Sequence, residues 1–448
     1  MENQRDEGDG GRATGRRKST RILLGAIIAV VVFAVAGVGF LVLGAGSEGV
    51  EDILIEQRPD PAYEQLFPYY VDLCVTSQYR SKTKGRGGSA GHALMYIKGA
   101  CKDEDAEFPQ LRRCSSVATT LEDPEHGVGV SVNRFLRNAN WLAIPGYYLF
   151  YTGNLEGGER LTQEHFDATV RQAVAQGVFE GLDLHEDWTS GDERSLERFA
   201  AVEVIGTDLA LQFARTTFCA RMPVTAPMVD EIIAFLNDKN REYATGDVDY
   251  NWSGVYDNCV HTVRNALAAA NVWSPITVRA TKLWHLLNMA VPANEVVNLA
   301  TLGAEGPLDD YRRIQEEGPL RDALHEFGWL PTRHGALMKA LPVHEPNDLF
   351  DTAFRLFALQ SPFRQGKRKA ALRLMSDERF VDLRANLIHF RDRYDEVLAV
   401  HYDNFDGLAS LRGTSHRRIQ RLHYEYIKAQ RAEVEAMLDR LDTIQRQE

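Results

Sequence analysis

Cysteine is scarce: five in 448 residues, at positions 74, 101, 114, 219 and 259. An odd number excludes complete internal pairing, so at least one thiol is free or bridges to another chain. Positive charge is also short. The 51 Lys and Arg face 63 Asp and Glu, for a net charge of -12, and no basic stripe offsets this. Such a balance excludes a general nucleic-acid binder. There is no phosphate-cradling glycine loop and no dinucleotide fingerprint. "HEDW", His185 to Trp188, lacks the spacing of a metal site. No metal and no cofactor is expected, and no repeat of fixed period is visible.

One long apolar run stands out. No charged residue occurs from Ile22 to Ser47. About 20 apolar residues cross a bilayer as a helix, whereas the apolar part of a cleaved signal peptide is about 7–15 residues. Residues 22–44 are therefore read as one transmembrane anchor. No cysteine follows closely enough for a lipoprotein signal. Arg12, Arg16, Arg17, Lys18 and Arg21 precede the run; Glu48, Glu51, Asp52 and Glu56 follow it. Positive flanks stay cytoplasmic, so residues 1–21 form a cytoplasmic disordered tail and the main domain lies outside, in the periplasm of a bacterial inner membrane. Residues 45–64 read as an acidic linker.

An extracytoplasmic address permits disulfides. Cys101 and Cys114 flank a polar loop, "KDEDAEFPQLRR", and make a plausible pair; Cys74 with Cys219 is a second candidate. Spacing alone does not fix the connectivity. The arrangement of chemical interest is the one that leaves Cys259 free.

The length predicts two or three structural units. Strand character is read in "YYVDLCVTSQYR", "HALMYIKGAC", "GVGVSVNRF" and the second half of "LALQFARTTFCARMPV". "RSKTKGRGGSAG" reads as a mobile glycine-rich loop. Residues 162–180 read as a helix capped by Thr162, and Thr225 caps "APMVDEIIAFLNDKN" with Pro227 in its first turn. Beyond about residue 300 the pattern is mainly helical, so 65–300 is taken as one domain and 301–448 as a helical C-terminal region. "RHGALMKALPVHEP" interrupts the latter as a short hairpin. His416 to Gln447 reads as a long amphipathic helix with Leu422, Tyr426, Val434, Met437, Leu441 and Ile444 near one stripe.

In "SGVYDNCVHT", Asp257 or Asn258 can cap a helix whose first turn holds Cys259. Val260, Val263, Leu267 and Ala270 then recur at helical spacing. A thiol at the positive end of a helix dipole has its pKa lowered when other cations help. A lone cysteine is otherwise more often a small core hydrophobe. A base must therefore be found. His261 is two residues away, and side chains at i and i+2 of a helix do not face each other; it is read as a surface or capping residue. His92 opens a strand after "GGSAG", sharing one face with Leu94 and Tyr96. A Cys–His couple would supply a thiolate nucleophile and an imidazolium that protonates a leaving group.

"GGSAGHALMYI" followed much later by "YNWSGVYDNCVHTVRNAL" resembles the Lnb N-terminal periplasmic domain family, across roughly residues 65–300. The resemblance also touches "GTDLALQFAR", "MVDEIIAFLN" and "VPANEVVNLAT". It implies an α+β fold with a permuted papain-like core, a Cys-bearing helix packed on an antiparallel sheet, related to NlpC-type cell-wall peptidases. In that permuted branch the histidine precedes the cysteine, as here. Cys259 would be the nucleophile and His92 the base. A third polar group usually orients the histidine from a neighbouring strand, and "GVGVSVNRF" offers Asn133, with Ser131 on the same face. The aromatic-Gly-acid pattern expected after the histidine strand is absent. Asn258 is expected as a cap or oxyanion donor, with Tyr256 and Tyr250 lining the site. His334, His344 and Asn347 would form a second cleft wall or serve the fold. The resemblance implies acyl transfer in the envelope: lipoprotein N-acylation from a phospholipid, or amidase or endopeptidase action on peptidoglycan. The family's acyltransferases can carry several membrane spans, and this chain shows one. A scaffold that kept the fold without the chemistry is the third expectation.

Overall fold

In the computed structural model, residues 60–82, 85–87, 91–185, 195–253, 257–276, 291–353, 357, 365–401 and 414–446 are described. The anchor expected at 22–44, the tail at 1–21 and Tyr256 lie outside these residues. Among the described residues no helix is long and apolar enough to cross a membrane.

Six strands form one antiparallel sheet: β1 (Tyr70–Thr76), β2 (His92–Lys98), β3 (Gly127–Val132), β4 (Trp141–Pro145), β5 (Thr217–Pro223) and β6 (Leu337–Leu341). Their spatial order is β6-β5-β1-β2-β3-β4. The helices that frame the sheet are α1 (Pro61–Leu66), α2 (Tyr147–Tyr151), α3 (Gln163–Ala175), α4 (Ala226–Ala244), α5 (Cys259–Ala269), α6 (Ala293–Glu305), α7 (Leu383–His401) and α8 (Thr414–Gln445). The fold is thus α+β, with an antiparallel sheet and a helical C-terminal region, as expected. Thr162 and Thr225 cap α3 and α4, also as expected.

β1 is buried along its whole length, because both faces of the sheet are covered. Side chains alternate across a strand, so pairing register sorts the faces. Val71, Leu73 and Val75 lie on the same face as Ala93, Met95 and Ile97. This apolar face receives α5, which packs on β2 and β3, and α6, which packs on β5 and β1; α4 packs against α5. Gly129 of β3 is on the opposite face, where a Cβ would meet the Phe150 ring of α2 at 2.0 Å; only glycine admits α2 there.

That opposite face is polar. Thr76 pairs with His92, Cys74 with Leu94 and Asp72 with Tyr96. Arg221 reaches Asp72 at 2.7 and 2.6 Å and Glu64 at 3.2 Å. Glu64 also takes Lys98 at 3.1 Å and His126 at 2.9 Å, and Tyr151 donates to Asp72 at 2.9 Å. All these groups are buried. Charges persist in such a place only when each is paired and hydrogen-bonded. Cys74 and Cys219, opposite one another in register, form a disulfide beside this cluster, and Cys101–Cys114 is a second. Cys259 is the free cysteine.

Three expectations change. "RHGALMKALPVHEP" is not a hairpin: its apolar Leu337–Leu341 segment pairs with β5 and completes the edge of the sheet. The division at residue 300 therefore does not coincide with a division of the fold, since residues beyond it supply a strand of the same sheet. The glycine-rich stretch carries a two-stranded ribbon, Tyr79–Ser81 against Gly85–Gly87. The stripe foreseen on α8 is the packed one, with Tyr426, Val434, Met437 and Leu441 buried in the common core.

Candidate active site

α5 begins where Asn258 turns its side-chain oxygen onto the N–H groups of Val260, at 2.9 Å, and His261, at 3.3 Å. His261 reciprocates: its Nδ1 accepts from the Asn258 N–H at 3.3 Å. The pair closes a capping box. His261 is thus the capping residue foreseen, buried rather than at the surface. Burial pushes its pKa down to about 4, so it is neutral and its geometry is committed to the cap.

Cys259 follows as the first helical residue, buried against the edge of the sheet where β2 begins. Its thiol lies close enough to His92 and to the backbone N–H groups of Ala93 and Val260 for each of them to favour the thiolate. Burial opposes a thiolate, yet the His92 charge and these donors carry the thiol pKa below its ordinary value. Burial likewise opposes an imidazolium, but Cys259 and then Asp208 raise His92 to about 9. Each side chain thus favours the charged form of the other. The two residues singled out in the sequence, separated by more than 160 positions in the chain, meet.

The third position is not filled as expected. His92 Nε2 lies 2.8 Å from Ser131 Oγ and 3.2 Å from Asp208 Oδ1. Ser131 Oγ donates to the same Asp208 oxygen. Asn133 is not a hydrogen-bond partner of the His92 ring; its Nδ2 donates to Asp208 Oδ2 at 2.8 Å. Asn133 thus holds the carboxylate that holds the histidine. Asp208 is 1% exposed, so an unpaired charge there would be costly, and three donors converge on it. It sits in a tight turn in which Gly206 has φ +76° and Ala210 has φ +48°. Both are left-handed, an unfavourable region for alanine. Arg215, fully buried, braces the turn by donating to Thr207 at 3.3 Å and to Thr76, opposite His92, at 2.8 Å.

Asp208 was missed because it lies in none of the strands around His92. The available signal was a lone acid, flanked by Gly206 and by the apolar run from Leu209 to Leu211, in "VIGTDLAL". A charge embedded in an apolar run has to be paired.

Tyr250 is buried, and its hydroxyl reaches the Asp257 carbonyl at 3.4 Å. Burial first, then Asp257 and Cys259, keep its phenol protonated. Asn258 spends its side-chain oxygen on the cap. The second-wall residues serve the fold instead. His334 contacts the Tyr394 hydroxyl at 3.1 Å, His344 donates to the Glu159 carbonyl at 2.7 Å, and Asn347 donates to the Phe213 carbonyl at 2.7 Å. Among the described residues no group of three or more His, Cys, Asp or Glu could hold a metal ion.

Comparison with family models, curated proteins and solved structures finds no match for the chain.

Proposed function

We propose that this chain is a membrane-anchored, thiol-dependent acyl-transfer enzyme of the bacterial envelope, with a permuted papain-like core of the Lnb N-terminal periplasmic domain type. The single observation that carries the reading is the chain of contacts from Cys259 through His92 to Asp208. Buried polar groups of this kind, strongly perturbed by specific partners, mark functional sites.

In this reading the Cys259 thiolate attacks a substrate carbonyl. A sulfur–carbon bond forms, and the carbonyl pair moves onto oxygen. That oxyanion sits at the positive end of α5, beside the Cys259 N–H. Collapse expels the leaving group, which takes the proton held on His92, and leaves a thioester. His92, now neutral, accepts a proton from the acceptor, water or an amine, as it attacks the thioester and frees the thiol. Asp208 and Ser131 hold the ring so that its other nitrogen faces the sulfur.

Residues 22–44 would keep this site at the membrane surface, which suits a lipid acyl donor such as a phospholipid with a lipoprotein amine as acceptor. Peptidoglycan hydrolysis is the competing chemistry; it would release soluble fragments from sacculi, whereas lipid acyl transfer would leave a lyso-phospholipid.

The test is alkylation of the full chain with iodoacetamide at pH 6, read by mass spectrometry. Cys259 should react at least about ten times faster than an ordinary thiol, whose pKa near 8.5 leaves it almost wholly protonated there. His92→Ala should remove that advantage. Equal rates in both proteins would sink the assignment.

A further inference from the structure

An open cavity of about 570 Å³ is lined by Arg134, Phe135, Arg137, His185, Asp249, Asn251 and Trp252; two of these segments lead by chain continuity to Asn133 and to Cys259. One wall is Arg134, Phe135 and Arg137. It continues from Asn133, which accepts the Phe135 N–H at 3.0 Å while gripping Asp208. The other wall holds Asp249 and Trp252 on either side of Tyr250. The Tyr250 N–H donates to the Arg137 carbonyl at 2.7 Å, which ties the walls together. Ser253 then bridges to Asp257, two residues before the nucleophile.

The charges along these walls are not equally engaged. Arg137 is paired with Asp183 at 2.9 Å, and His185 donates its Nε2–H to the Tyr250 carbonyl at 2.7 Å. Arg134 lies over the Phe135 ring at 4.5 Å, and among the described residues it has no ion pair. Asp249 also has no ion pair among the described residues. One cation and one anion therefore border the same hollow, on different walls, each exposed and without an ion pair among the described residues. Trp252 is 46% exposed there, an apolar platform that the fold does not cover.

We propose that this cavity is a subsite for a zwitterion, a ligand carrying an amine for Asp249 and an oxyanion for Arg134, with an apolar or planar part against Trp252. The assignment rests on the acyl-transfer reading of Cys259 and names the substrate end that the site would hold. A guanidinium stacked on an aromatic ring is already oriented to give paired hydrogen bonds to a carboxylate or phosphate. The amine–oxyanion pair can come from a peptide terminus or from a phosphoethanolamine group, and the two arms of the test separate these sources.

The experiment uses the full chain carrying Cys259→Ser, so that no probe is consumed, with ligand-observed NMR titration. The probes are alanylalanine and glycerophosphoethanolamine, each beside its N-acetylated form. One probe should bind, and its identity names the source. Its affinity should fall about three- to tenfold on N-acetylation, in Arg134→Gln and in Asp249→Asn. Arg134→Lys should restore part of the loss. In the unsubstituted chain the bound probe should slow iodoacetamide labelling of Cys259. Failure of both probes to bind, equal binding of the acetylated forms, or binding without protection of Cys259 overturns the proposal. Rapid, His92-dependent labelling of Cys259 in the unsubstituted chain would still leave the acyl-transfer reading standing, so the two failures are distinguishable.

Discussion

Burial and charge oppose each other at His92. Its folded value, about 9, lies above the ordinary 6.5, so the stability its proton contributes is complete below about pH 6.5 and is lost as pH rises through about 9. Cys259 runs the other way: its folded value is lowered, so its contribution is present at alkaline pH and fades as pH falls through that lowered value. Iodoacetamide reactivity should accordingly rise less steeply from pH 6 to 8 than that of an ordinary thiol, which gains about tenfold per pH unit there. Asp208→Asn removes the charge behind the imidazolium. We expect the pKa of His92, read by NMR titration, to drop by about 1 unit or more toward 6.5. A purely structural Asp208 would leave that titration unmoved. The couple itself was legible in the sequence because each partner carries a local mark: a cap before Cys259 and a glycine run before His92. Asp208 carries only the weaker mark of an acid in an apolar run, and nothing local ties it to His92, since it reaches the site through a turn joined to β3 only in three dimensions. Asn133 was foreseen as the orienting group, one link too close to the ring.

The N-terminus of α5 is the element on which the thiol's position depends. Asn258 and His261 satisfy the first orphan N–H groups there, and Thr262 anchors the next turn by donating to Asn140 at 2.7 Å. Asn258→Ala should cost about 1 kcal/mol of stability in a denaturant titration, and Asn258→Gly only a few tenths. Both should also lower the Cys259 alkylation rate, because a frayed first turn no longer presents the thiol to His92. If the stability loss appears without any change in that rate, the cap serves the helix alone. The longer helices were legible, since caps and apolar spacing are local features, whereas α1, which starts inside the stretch read as a linker, and the short α2 were not. β6 was not: a five-residue segment, apolar but for Lys339, between turns fits a hairpin as well as an edge strand. What decides is the open edge of β5, which comes from a segment more than a hundred residues earlier.

Across the whole molecule, the polar face of the sheet draws Glu64 from α1, Asp72 from β1, Lys98 from β2, Arg221 from β5 and His126 from the approach to β3 into one buried ion cluster. No single segment hints at it, because each contributes one charge that looks like surface polarity in isolation. Asp72→Ala strands Arg221 without its two-pronged partner and should cost about 3–5 kcal/mol. The same long-range construction bears on the domain boundary. β5 pairs with β1 on one side and with β6 on the other, and α8 reaches back to α1, where Arg440 donates to the Gln65 carbonyl at 3.2 Å. Residues 65–300 alone would leave the β5 edge open, remove most of α1 and cut through α6. An unpaired inner strand with apolar neighbours is a template for aggregation. A chain ending at residue 300 should therefore be insoluble, and limited proteolysis of the intact protein should yield no protected 65–300 fragment. A folded, thiol-reactive 65–300 fragment would show instead that the C-terminal strand and helices are an addition to a complete catalytic domain.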